Sequence, residues 1–130
     1  KTLSELHNPV ADNEILQKAS DSIMRAMTSN KCYHRYTWGI SPLGTLSNHP
    51  LHNRPSYDTL DSLWLRVEHE RTMAITLGKT ALFLIQVSTQ PLTQVIKKHG
   101  KLLKDSINSM TESVLTYKNL HRTKELLNGT

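Results

Sequence analysis

The chain has 130 residues, enough for one domain around a single core. At 37% apolar and 5% aromatic it lies below the about 45–50% apolar content of average domains, so its core must be modest. A net charge of +5 admits an acidic partner without pointing to nucleic acid, and the single cysteine, Cys32, excludes an internal disulfide framework.

The first residue is Lys1 and not Met, which suggests a processed or excised piece. Asn8-Pro9 is a good helix start, with asparagine as cap and proline at the first helical position. Asp12 and Glu14 follow where the helix dipole favours acids. Ile15, Leu16, Ala19, Ile23, Ala26 and Met27 then recur at helical spacing, which predicts a helix over 9–29. Leu3 and Leu6 would pack on it as a short separate turn.

Helical periodicity vanishes between Asn30 and Tyr57. Gly39, Pro42, Gly44, Pro50 and Pro55 fall in this stretch and rule out a continuous helix. An irregular loop over 30–57 is expected, with room for a short strand near Cys32–Trp38. A structureless loop of that length is unusual unless it serves a function.

Asp58 is a second helix cap, and Pro55 blocks extension backwards. Leu60, Trp64, Val67, Arg71, Ala74, Gly78, Ala81 and Ile85 alternate steps of four and three, which is heptad spacing. The spacing predicts a long helix over 58–87, whose Ala74-Gly78-Ala81 section would admit another backbone closely. The same residues leave one alternative, because the apolar run at 81–87 also suits a buried strand. The longer apolar stretch from Met73 to Val87 is interrupted by Lys79 and is too short to span a bilayer.

After Pro91, residues Leu92, Val95, Ile96, His99, Leu103, Ile107, Met110, Val114, Tyr117, Leu120 and Leu127 keep the helical period. They predict a helix over 91–127, broken if anywhere at Gly100, with Asn128-Gly129 as its stop. A short turn near Ser88–Gln90 would lay it antiparallel to the 58–87 helix. The expected fold is therefore all-α: a small helical bundle in one domain, built on a long helix hairpin.

Three constellations qualify as sites. The loop aromatics Tyr33, Tyr36, Trp38 and Tyr57 with Arg54 are residue types enriched at binding hot spots, and Arg71, Ala74, Gly78 and Ala81 would add a helix seam. The bland account of the aromatics is that they cap one end of the core. Lys97, Lys98, Lys101 and Lys104 begin a basic helix face that would continue to Lys118 and Arg122 and could follow a nucleic acid backbone. A solvated amphipathic face predicts the same residues. Cys32, His34, His49 and His52 carry metal-binding atoms, but C-x-H departs from usual zinc spacing, so no metal is assigned.

There is no Gly-rich phosphate loop, no H-E-x-x-H and no G-x-S-x-G, although His69-Glu70 begins like the second of these. The sequence therefore predicts no cofactor and no enzyme. It points to a non-enzymatic helical interaction or self-assembly domain in a reducing, intracellular compartment, meeting a protein partner or a second copy. A nucleic-acid-binding module is the alternative.

Overall fold

The computed structural model describes residues 13–47 and 52–129. Its elements run α1 (Asn13–Met27), β1 (Tyr33–Ser41), a 3-10 turn (Leu60–Ser62), β2 (Trp64–Thr76), β3 (Thr80–Pro91), α2 (Leu92–Asn108), α3 (Glu112–Lys118) and α4 (His121–Gly129). The three strands form one antiparallel sheet in the order β1-β2-β3. The fold is therefore α+β, and the expected all-α bundle, coiled-coil seam and helix hairpin are all corrected.

The expected 58–87 helix is a hairpin of two strands. Val67, Thr72, Ile75, Thr76, Thr80, Ile85, Val87 and Thr89 supply β-branched side chains throughout, and such residues suit a pleated surface. Burial alternates with period two along the middle of β2, where Glu70 and Thr72 are buried and Arg71 and Met73 exposed. Three- and four-residue steps can be picked out because apolar residues fall on both parities of these strands. Gly78 has φ +69 at the third position of the turn closed by the Lys79 N–H to Thr76 O hydrogen bond of 3.0 Å. A residue that would weaken a helix is the one this turn requires.

The irregular stretch expected over 30–57 holds β1, longer than the short strand allowed for at Cys32–Trp38. The first helix is present from Asn13; its expected start at Asn8-Pro9, and the turn at Leu3 and Leu6, lie outside the described residues. Its end is closed locally, Thr28 Oγ1 donating to Met24 O at 2.8 Å and Ser29 Oγ to Ala26 O at 2.7 Å.

The expected 91–127 helix is three. His99 departs from helical angles (φ −138, ψ 25) just before Gly100, so α2 kinks there without ending. Thr111 then caps α3 by accepting the Val114 N–H, and Asn119, at φ 53, ends it. Asparagine tolerates that left-handed angle better than most residues, and the Leu120 N–H returns to Leu115 O at 2.9 Å.

The chain divides into two compact units. The described part of one comprises 13–37 and 69–86, that is α1 with the hairpin end of the sheet. Its buried side chains are Thr28, Glu70 and Thr72, all polar, while Met73, Ile75, Leu77, Leu82, Phe83, Leu84 and Ile85 are exposed. The Gly78 N–H donates to Thr28 O at 2.9 Å, tying the hairpin turn to the end of α1. The other unit holds the apolar core, Leu63, Leu92, Leu103, Ile107, Leu115, Leu120 and Leu127, with Trp38, Ile40, Tyr57 and Met110 packed against it. The Leu92 N–H donates to Leu63 O at 2.8 Å, which fixes the start of α2 beside the 3-10 turn.

Candidate functional site

Because side chains alternate along a strand, neighbouring strands β1 and β2 present two different surfaces in the first unit. On one, Arg35 grips the buried Glu70, with Nη2 at 2.5 Å and Nε at 2.7 Å from Oε2, and Thr37 Oγ1 lies 3.4 Å from Oε1. This pair is structural: a buried carboxylate needs donors, and it has them.

One residue along, the opposite surface carries titratable donors. His34 Nδ1 lies 3.1 Å from His69 Nε2, and Cys32 Sγ lies 3.5 Å from His34 Nε2. Tyr36 stacks on the His69 ring, centroids 4.3 Å apart and planes 14° from parallel. Arg71 approaches the same ring, Nη2 at 3.3 Å from Nδ1 and Nε at 3.5 Å from Nε2. By alternation Met73 and Ile75 continue this surface along β2, and they are 38% and 65% exposed. The surface is thus imidazole, guanidinium, thioether and aliphatic in sequence, and none of it is buried.

The cluster is electropositive. The His69 imidazole titrates below its ordinary value, first because it is partly withdrawn from water, then because Arg71 and His34 disfavour a second positive charge. No strand brings an acid to this surface: β1 and β3 contain none, and Glu68 and Glu70 share the other parity of β2.

Of the aromatic residues singled out from sequence, only Tyr36 joins this cluster. Tyr33 takes the other parity of β1. Trp38 packs at the core of the second unit, where Lys118 donates to its carbonyl oxygen at 2.5 Å and sits 5.7 Å from its ring centre. Tyr57 Oη is bonded to Thr123 Oγ1 at 3.0 Å beside the core, and Arg54 lies exposed in the irregular segment before the 3-10 turn. Arg71 belongs to the cluster, whereas Ala74, Gly78 and Ala81 lie on β2, the turn and β3. No small-residue helix seam exists among them.

The basic stripe is broken by the fold. Lys97, Lys98, Lys101 and Lys104 lie on α2, on both sides of the His99 kink, and Lys101 is paired with Asp105 at 2.5 Å, which raises its pKa. Lys118 is half-buried against Trp38, and Arg122 is paired with Glu125 at 3.1 Å and Asp58 at 3.7 Å. The continuous face from Lys97 to Arg122 required one unbroken helix and is not formed. Of the sulfur and imidazole set, Cys32 and His34 do meet, His52 Nε2 lies 2.9 Å from Ser47 Oγ, and His49 lies outside the described residues.

His69 was missed as a site residue. Its signal was the period of two, which sets His69 and Arg71 against Glu68 and Glu70 once 64–76 is read as a strand. A family model for haem-dependent oxidative N-demethylase, alpha subunit-like, matches residues 1–128. The chain belongs to that family. No curated protein matches it. Membership in this N-demethylase alpha subunit-like family overturns the helical interaction domain and its nucleic-acid alternative, and it replaces the expectation of no enzyme with an enzyme-related domain. No described helix is long and apolar enough to cross a membrane.

The family description names haem. No group of three or more His, Cys, Asp or Glu that could hold a metal ion occurs among the described residues. Haem asks less of a protein than a bare ion does, because the macrocycle supplies four donors and the chain one or two, commonly imidazole. His34 and His69 are imidazoles of that kind, with their ring nitrogens engaged by each other, Cys32 and Arg71. Met73 and Ile75 offer uncovered apolar surface on the same side, and Arg71 offers a cation to the acidic rim of the ring.

Proposed function

We propose that this chain forms a haem-facing part of an oxidative N-demethylase alpha subunit, with the surface of His34, Tyr36, His69, Arg71, Met73 and Ile75 as the contact. The observation that carries this reading is an inversion of the usual sheet. In the first unit the covered side of β2 is polar, Glu70 and Thr72, while the open side ends in Met73 and Ile75. Uncovered apolar side chains beside cationic ones suit a ligand with an apolar body and anionic groups. Haem is such a ligand.

Bound there, haem would supply the electron and dioxygen chemistry of oxidative demethylation. The chain's own residues do the rest. His69, whose pKa is lowered first by partial withdrawal from water and then by Arg71 and His34, would present its imidazole to the ligand. Tyr36, stacked on it, limits rotation of that ring. Met73 and Ile75, exposed in the structure, would exclude water once covered by the ligand, which would strengthen polar interactions beside them.

The test is titration of the purified protein with hemin, followed by the Soret band. A saturable red shift is expected, lost in His69→Ala and kept in His121→Ala, whose imidazole lies on α4 beside Thr116. A shift that survives both His34→Ala and His69→Ala would remove this surface as the site.

A further inference from the structure

We propose that the open edge of β3, over residues 80–86, pairs with the same edge of a second copy of this chain. This edge takes no part in the haem contact proposed above. β1 and β3 are the two outer strands of the sheet, and among the described residues each has a sheet neighbour on one side only. They differ in kind. β1 begins Tyr-His-Arg-Tyr-Thr, with polar and charged side chains that deter an approaching strand. From Thr80 to Gln86, β3 reads Thr-Ala-Leu-Phe-Leu-Ile-Gln, with no charge, no proline and no glycine.

Leu82, Phe83, Leu84 and Ile85 alternate between the two faces of the strand, yet all four are 38–50% exposed. A continuous apolar run on both faces is the composition of a strand covered on both sides in the interior of a sheet. The composition of β3 is thus that of an interior strand, and its position is that of an edge. Natural sheets guard such edges with lysine, proline or a bulge, and none of the first two stands in 80–86.

A second copy fits this edge on charge. The chain carries +5 as a whole, so two copies repel over most of their surface. The 80–86 stretch contributes none of that charge, and pairing it antiparallel with itself sets uncharged residues against uncharged residues. A charged peptide would find no counter-charge there. The pairing is also self-limiting. Joining two β3 edges gives the strand order β1-β2-β3-β3-β2-β1, whose outer edges are both β1, so growth stops at two. The stretch would bury on the order of 500 Å2 per copy, the low end for a specific interface, which points to a weak dimer with a Kd of roughly 10–100 μM.

Sedimentation equilibrium of the purified protein, over concentrations that bracket this value, should show a monomer–dimer equilibrium. Phe83→Lys and Leu84→Lys put a like charge on opposite faces of the joined edge, and each should weaken the dimer by roughly tenfold or more. Tyr33→Lys, on β1, should leave it unchanged. All three replaced side chains are exposed, and far-UV circular dichroism checks that the variants fold. Amide hydrogen exchange of the wild type should slow over 80–86 as concentration rises and stay constant over 33–37, which decides the matter even if a lysine variant fails to fold. A wild type that remains monomeric throughout overturns the inference and leaves the edge to a strand of a different chain. A dimer weakened by only one of the two lysines is a stack of faces and not a joined edge, which overturns it too, as does concentration-dependent protection on β1 in place of β3.

Discussion

Glu70 is 7% exposed and its carboxylate is held by Arg35 of the neighbouring strand, whose own side chain is 66% exposed. The pair is lopsided, and its two members should differ in what their loss does. Arg35→Ala leaves a buried carboxylate with only Thr37 at 3.4 Å, and should cost about 2–4 kcal/mol. Glu70→Gln leaves an exposed guanidinium that water can solvate, and should cost about 1 kcal/mol. Urea denaturation measures both. The reverse order would mean that Glu70 is not buried in solution.

Two glycines should fail for different reasons. A Cβ at Gly44 would lie 2.6 Å from the Trp64 ring, so Gly44→Ala must displace the indole, at a cost of about 1–3 kcal/mol. Gly78 has open space around it but a φ of +69, so Gly78→Ala pays only the left-handed backbone penalty, about 1–2 kcal/mol. Gly39→Ala meets nothing within 4 Å and should be close to neutral. Thermal melts of the three variants test the ranking.

His69 should titrate below the unperturbed value in an NMR pH series, and Arg71→Gln should move it upward by removing one of the charges that depress it. The sign for stability follows. The folded chain binds this proton less readily than the unfolded one, so the contribution to stability is complete above the unperturbed pKa of about 6.5 and declines as pH falls below it. A His69 that titrates at or above the unperturbed value would contradict the arrangement.

Asn119 ends α3 at φ 53. Asn119→Gly should be tolerated, and Asn119→Val should cost about 1–2 kcal/mol, because a β-branched residue resists that angle. Equal stability of the two variants would show that the break between α3 and α4 does not depend on this residue.

How legible these features were in the sequence depended on periodicity. The first helix was visible because Ile15, Leu16, Ala19 and Ile23 share one parity of 3.6 and compete with no other pattern. The division of the C-terminal helix was hidden. Thr111 and Asn119 interrupt no apolar spacing, and only their cap geometry reveals them. The β2–β3 hairpin was misread because apolar residues on both parities satisfy heptad spacing and strand alternation alike. Once that stretch was read as a helix, Gly78 became a packing residue instead of a turn, and His69 and Arg71 fell on different faces. Tyr36 was named as a contact residue for its type and Arg71 for its place on a supposed helix seam, and the fold brings them to one ring. Nothing local could join His34 to His69, which lie thirty-five positions apart and meet only through strand pairing.

Sliding β2 past β1 by a single position would turn the Glu70 carboxylate outward and draw an imidazole inward. Arg35 and Glu70 therefore act as an alignment key. By locking together on one side, they decide which residues are offered on the other, and the arrangement of His34, His69 and Arg71 depends on a contact that none of them makes.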